Sequence, residues 1–72
     1  MAERRLGNRL KDIRTARGLT QTDLAALVGV SRKTINTVEN SVFVPSTLLA
    51  LALAKTLNTT VEELFFIVED DG

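Results

Sequence analysis

The stretch Thr20–Asn40, TQTDLAALVGVSRKTINTVEN, constrains this chain more than any other. Thr20 is a candidate N-cap, and Asp23 three residues on is a shorter relative of the usual capping-box partner. Leu24, Ala25 and Val28 then share one face of a helix. Gly29 ends that helix, because a tight turn calls for positive φ, which glycine adopts at little cost. Ser31 is a second N-cap, and Ile35 and Val38 share one face of a second helix. Val30 can plug the corner between the two. Two capped helices so briefly connected must cross steeply. Ala25 stands where a large side chain would hold them apart. The outer face of the second helix carries Arg32, Lys33, Asn36, Thr37 and Asn40. All can hydrogen-bond and none is acidic.

The whole chain has 72 residues, which is one domain at most. A core that small is marginal alone, so a dimer is expected before any motif is read. Cysteine and histidine are absent. That removes disulfides, thiolate metal sites and the commonest general base, so no metal and no cofactor are expected. There is no signal-peptide pattern and no apolar run of membrane-spanning length, so no membrane partner is expected and the expected location is cytoplasmic. Net charge is zero, but it is unevenly spread. Residues 1–38 hold eight Lys/Arg against Glu3, Asp12 and Asp23, a balance of +5. Residues 39–72 hold Lys55 against six acids, a balance of −5. One basic face on a neutral chain suits encounter with a polyanion. A chance asymmetry on an ordinary solvated surface accounts for the same numbers.

Taken in order, Met1 to Leu6 reads as a short basic arm. A first helix is predicted from about Asn8 to Arg17, with Leu10 and Ile13 inward and Gly18 ending it. The two-helix unit follows. Pro45 and Ser46 open a helix from about Thr47 to Leu57. It is apolar nearly all round, so burial on more than one side is expected. Asn58 ends it. Thr60 and Glu63 form a capping box for a last short helix, Val61 to about Phe66. The expected class is all-α: five helices, with an acidic tail that could add a short C-terminal strand.

The segment LGNRLKDIRTARGLTQTDLAALVGVSRKTINTVEN, then Pro45-Ser46 and LALAKTLNTTVEELF, resembles the phage-repressor Cro/CI-type, or XRE-type, helix-turn-helix family. The resemblance runs from about Leu6 to Phe65 and rests on features at fixed spacing. These are Arg14, Gly18 to Gln21, Leu24-Ala25, Gly29-Val30-Ser31, Ile35, Val38-Glu39-Asn40 and Pro45-Ser46. It implies a compact five-helix, lambda-repressor-like DNA-binding domain over residues 1–72 that works as a homodimer on a two-fold operator. This chain departs from the family at Ser41, where glycine is usual, and at Val42, Phe43 and Val44, where the loop is usually polar. It departs again at Leu48 and Ala52, which are usually polar positions.

In the family's geometry the second helix of the unit lies in the major groove with its N-terminal part nearest the bases. The resemblance therefore implies base reading by Arg32, Lys33, Thr34, Asn36 and Thr37. Arginine or lysine suits guanine, and asparagine suits adenine. Thr20, Gln21, Ser31 and Asn40 are the expected phosphate contacts, aided by a helix N-terminus, with Arg9 and Arg17 as helpers. Glu39 would repel phosphate, and Arg14 matches the family's partner for it, so a partly buried pair is expected. Val42, Phe43, Val44, Leu48, Ala52, Phe66, Ile67 and Val68 exceed what this core can hide and are the expected dimer surface. The expected function is a transcriptional regulator, a repressor, of double-stranded DNA. The alternative is a protein-interaction module, antitoxin-like or bridging, on the same fold. An enzyme is not expected, because Glu62-Glu63 and Glu69 to Asp71 lie at a helix start and in a tail, where neither cluster forms a site.

Overall fold

The computed structural model describes residues 3–70. The order is β1 (Glu3–Asn8), α1 (Leu10–Ala16), α2 (Gln21–Val28), α3 (Arg32–Glu39), α4 (Thr47–Thr56), α5 (Val61–Leu64) and β2 (Phe65–Asp70). Four helices start as their sequences dictate. Thr20, Ser31, Ser46 and Thr60 each accept a hydrogen bond from the backbone N–H three residues on. At Thr20 the box closes in both directions, since the Asp23 carboxylate accepts from the Thr20 N–H at 3.0 Å. Gly29 ends α2 with φ +79°. Its N–H and that of Val30 both donate to the Ala25 carbonyl, which satisfies a group the helix end leaves unpaired.

The class differs from the all-α expectation. β1 and β2 form an antiparallel pair in which Arg4 faces Glu69, Leu6 faces Ile67 and Gly7 faces Phe66. The segment read as an arm is therefore a strand, and α5 stops at Leu64 instead of running to Phe66. Phe65 takes extended backbone, φ −126° and ψ 144°. The run Phe65–Val68 is aromatic and β-branched, which favours a strand once a partner is present. That partner lies some sixty residues away, beyond the reach of local pattern. Gly7 admits the pairing: a Cβ there would stand 2.4 Å from the Phe66 ring. Met1 and Ala2 of the expected arm, and Asp71 of the acidic tail, lie outside the described residues.

Leu10, Leu24, Ile35, Leu53 and Leu64 are fully buried, with Val38 and Leu57 nearly so. They draw α1, α2, α3, α4 and α5 onto one core. Ala25 lies buried in α2, the helix packed against α3, as the crossing requires. Asn8 joins the sheet to this core. Its carbonyl accepts from the Leu10 N–H at the start of α1, and its amide donates to the Val38 carbonyl at the end of α3. The Arg9 N–H donates to the Leu64 carbonyl at 2.8 Å, so α1 begins where α5 ends.

α4 is not buried on more than one side within this chain. Ala50, Leu53 and Ala54 face the core, while Leu48 is 79% exposed and Leu51 is exposed as well. Burial of one apolar stripe uses up the surface that five short helices offer.

Ser41, at the position where the resemblance implies a usual glycine, takes φ +60° just past the end of α3. The left-handed conformation costs a residue with a Cβ about 1 kcal/mol more than glycine. Ser41→Gly is expected to raise Tm by roughly 4–8 °C, as about 1 kcal/mol does in a domain this size. Thermal unfolding followed by circular dichroism checks it, and an unchanged or lowered Tm would refute the strain.

Candidate nucleic-acid interface

α3 stands in front of α2 and turns Ile35 and Val38 into the core. Its 3.6-residue period leaves Arg32, Lys33, Asn36, Thr37 and Asn40 on the other side. Arg32 and Lys33 are exposed and make no hydrogen bond or ion pair among the described residues. Two unpaired cations at a helix N-terminus are electrostatically costly at rest. A polyanion would remove that cost. Ser31 spends its hydroxyl on the Thr34 N–H and on the Thr34 hydroxyl at 2.9 Å. Thr37 donates its hydroxyl to the Thr34 carbonyl at 2.9 Å.

The acid at the end of α3 is withdrawn. Arg14 Nε donates to Glu39 Oε2 at 2.6 Å and Nη2 donates to Oε1 at 3.2 Å. The two side chains are only 8% and 4% exposed. The remaining Arg14 nitrogen, Nη1, donates to the Leu19 carbonyl at 2.8 Å. Arg14 thus fixes the end of α1, the approach to α2 and the end of α3 with one guanidinium. The two parallel bonds are the geometry that planar arginine and carboxylate favour.

Gln21 extends this network. Its Nε2 donates to Glu39 Oε1 at 3.0 Å and to Asn36 Oδ1 at 3.2 Å. Asn40 Nδ2 donates to the same Asn36 oxygen at 3.2 Å. Gln21 and Asn40, expected at phosphate, and Asn36, expected at a base, are therefore held together as one polar cluster. That cluster was not legible in the sequence, because it depends on where α2 crosses α3.

Arg9 and Arg17 point elsewhere. Arg17 Nε donates to the Leu57 carbonyl at the end of α4. Arg9 lies over the Phe66 ring at 4.5 Å and donates weakly to the Glu63 carbonyl at 3.4 Å. Both anchor α1 to the C-terminal half through these contacts. Val42, Phe43, Val44, Leu48 and Ile67 are exposed, while Ala52, Phe66 and Val68 are half-buried. Leu51 joins them, one turn along α4 from Leu48, and was missed because α4 read as buried all round. Phe66 is partly spent on Gly7 and Arg9.

Arg14→Ala would strand the Glu39 carboxylate in a nearly dry site. A loss of about 3 kcal/mol is expected, read by urea unfolding. Replacing both partners with methionine should recover most of it, and equal losses in the single and double variants would show the carboxylate is not stranded. Asp23 supplies a pH signature. The Thr20 N–H, and after it the Thr20 hydroxyl, hold the Asp23 carboxyl below its ordinary value. A depressed folded pKa adds stability above the ordinary value and loses it as pH falls through the folded one. Wild type should therefore be more stable than Asp23→Asn at neutral pH, with the two Tm curves converging in acid. A gap independent of pH would count against this role.

A sequence profile of the helix-turn-helix family matches residues 10–64. The chain is 45% identical over 64 residues to an HTH-type transcriptional regulator of Methanocaldococcus jannaschii, covering 89% of this chain and 96% of that one. It is 36% identical to the HTH-type transcriptional regulator YgzD of Bacillus subtilis, covering 89% and 97%. Its fold is similar to the restriction-modification controller protein C.AhdI of Aeromonas hydrophila, with a TM-score of 0.72 and 38% identity over 76% of this chain and 83% of that one. α2 and α3 fall within the matched span, crossing at the Gly29 turn behind a polar, acid-free face. The chain belongs to the XRE-type helix-turn-helix family of DNA-binding transcriptional regulators.

Proposed function

We propose that this protein is a sequence-specific repressor that binds a two-fold DNA operator as a homodimer. The observation that carries this reading is the outer face of α3. Arg32 and Lys33 stand there unpaired, and Glu39, the one acid of that helix, is neutralised by Arg14. α3 enters the major groove, and Arg32 and Lys33 donate to guanine edges. Thr34 and Thr37 lie beside them, and the Thr37 methyl meets a thymine methyl. Thr20 and Gln21 at the start of α2, with Ser31 and Asn40 at the two ends of α3, hold phosphates. The helix dipole and unpaired N–H groups of a first turn favour an anion there.

The second copy docks on the apolar surface made by Val42, Phe43, Val44, Leu48, Ala52 and Ile67, with Phe66 and Val68 at its margin. Val42 and Leu48 are 78% and 79% exposed, a cost that a partner removes. Pairing there would set two copies of α3 about 34 Å apart, one turn of DNA. The same surface favours a second reading, in which a different protein is the partner and DNA is secondary.

Selection of binding sites from random duplex DNA tests the first reading. The expected result is a two-fold motif with half-sites about one turn apart, bound with an affinity that falls steeply with salt as counterions are released. Failure to enrich any motif, with salt-insensitive binding to a protein partner, would favour the second reading. Sedimentation should show a dimer at micromolar concentration and a monomer for Leu48→Glu. A monomeric wild type would end the dimer proposal.

A further inference from the structure

The cluster between α2 and α3 has a direction, and the direction is imposed by Glu39. A carboxylate only accepts hydrogen bonds. The Gln21 atom 3.0 Å from Glu39 Oε1 must therefore be the amide nitrogen, not the oxygen. The other hydrogen of that nitrogen meets Asn36 at 3.2 Å, so Asn36 must present its oxygen there. Asn40 Nδ2 reaches the same oxygen from one turn along α3, at 3.2 Å. An sp² oxygen has two lone pairs, and both are now occupied. Charge on Arg14 and Glu39 has thus fixed which way the Asn36 amide faces.

Asn36 Nδ2, in contrast, has no partner among the described residues. The sequence suggests adenine for this asparagine, because the bidentate contact uses one acceptor and one donor of the amide. The acceptor half is already engaged within the chain. What remains for the groove is a pair of N–H donors.

We infer that Asn36 reads its base as a donor only and selects guanine, whose major-groove edge offers two acceptors and no donor, at the half-site position it faces. Guanine offers N7 and O6 to such a group, and thymine offers O4 alone. Adenine offers N7 with an amino donor beside it, and cytosine offers only an amino donor, so neither gives the two acceptors of guanine. Gln21 is the positioning residue for this choice, because its amide occupies one of the Asn36 lone pairs. The inference rests on the reading that α3 enters the major groove.

The test compares sites selected from random duplexes by wild type, Asn36→Ala and Gln21→Ala. Wild type is expected to select guanine at one half-site position, and Asn36→Ala to lose about tenfold of discrimination there and nowhere else. Gln21→Ala, which frees one lone pair of Asn36, should admit adenine at that position. Removing one of the two guanine acceptors, with 7-deazaguanine, should weaken wild type but not Asn36→Ala. An Asn36-dependent loss on removing the adenine amino group would overturn the inference, as would the absence of any Asn36-dependent position. Amide spectra of the ¹⁵N-labelled protein without DNA give an independent readout. Asn36→Ala should shift the Gln21 side-chain amide pair, and an unmoved pair would sink the inference while leaving the DNA reading intact. A wild type that enriches no motif would remove the DNA reading itself, and the inference with it.

Discussion

A carboxylate at the end of a helix that faces a polyanion is a liability, and this fold turns it into an anchor. Arg14 meets Glu39 through two bonds in a site almost closed to water. Burial makes the pair costly to break and of little net worth to form. Its value lies in what it fixes. Arg14 also holds the Leu19 carbonyl, and Glu39 also receives Gln21. The end of α1, the start of α2 and the end of α3 are therefore tied to one pair of charges. It fixes the α2–α3 crossing beside the apolar contacts of Leu24, Ala25 and Ile35.

The outer face depends on the same pair. With Glu39 withdrawn, Arg32 and Lys33 set the potential of that face, although the chain as a whole is neutral. Local arrangement, not net charge, governs encounter with DNA. The pair also sets the orientation of three side-chain amides in sequence, Gln21, Asn36 and Asn40. A neutral amide can face either way, whereas one that meets a carboxylate cannot. In this sense a structural ion pair reaches the outer surface of α3.

The sheet plays a quieter part. β1 and β2 bring the two ends of the chain together, and Asn8 carries that closure to the end of α3. Beside it, the α3–α4 loop and the outer stripe of α4 leave Val42, Val44, Leu48 and Leu51 in water. A chain of this size cannot cover all its apolar surface by folding alone. The proposed dimer follows from that shortfall.

Much of this was legible in the residues themselves. Thr20, Ser31, Ser46 and Thr60 declared their caps, and Gly29 declared the turn, because capping and left-handed backbone are local matters decided within a few residues. The inward faces of α2 and α3 followed from periodicity, and so did the polar outer face of α3. Tertiary structure alone decided the rest. Phe65–Val68 became a strand because Glu3–Asn8 supplied a partner, and α4 kept one apolar stripe exposed because nothing in the chain reached it. Arg9 and Arg17 turned to α5 and α4 for the same kind of reason, since carbonyls and a ring within reach there took their donors. The direction of the Asn36 amide is the clearest case. The sequence states that the residue is asparagine. Only the placement of Gln21 and Glu39 across the helix crossing determines which of its two ends is left outside the cluster.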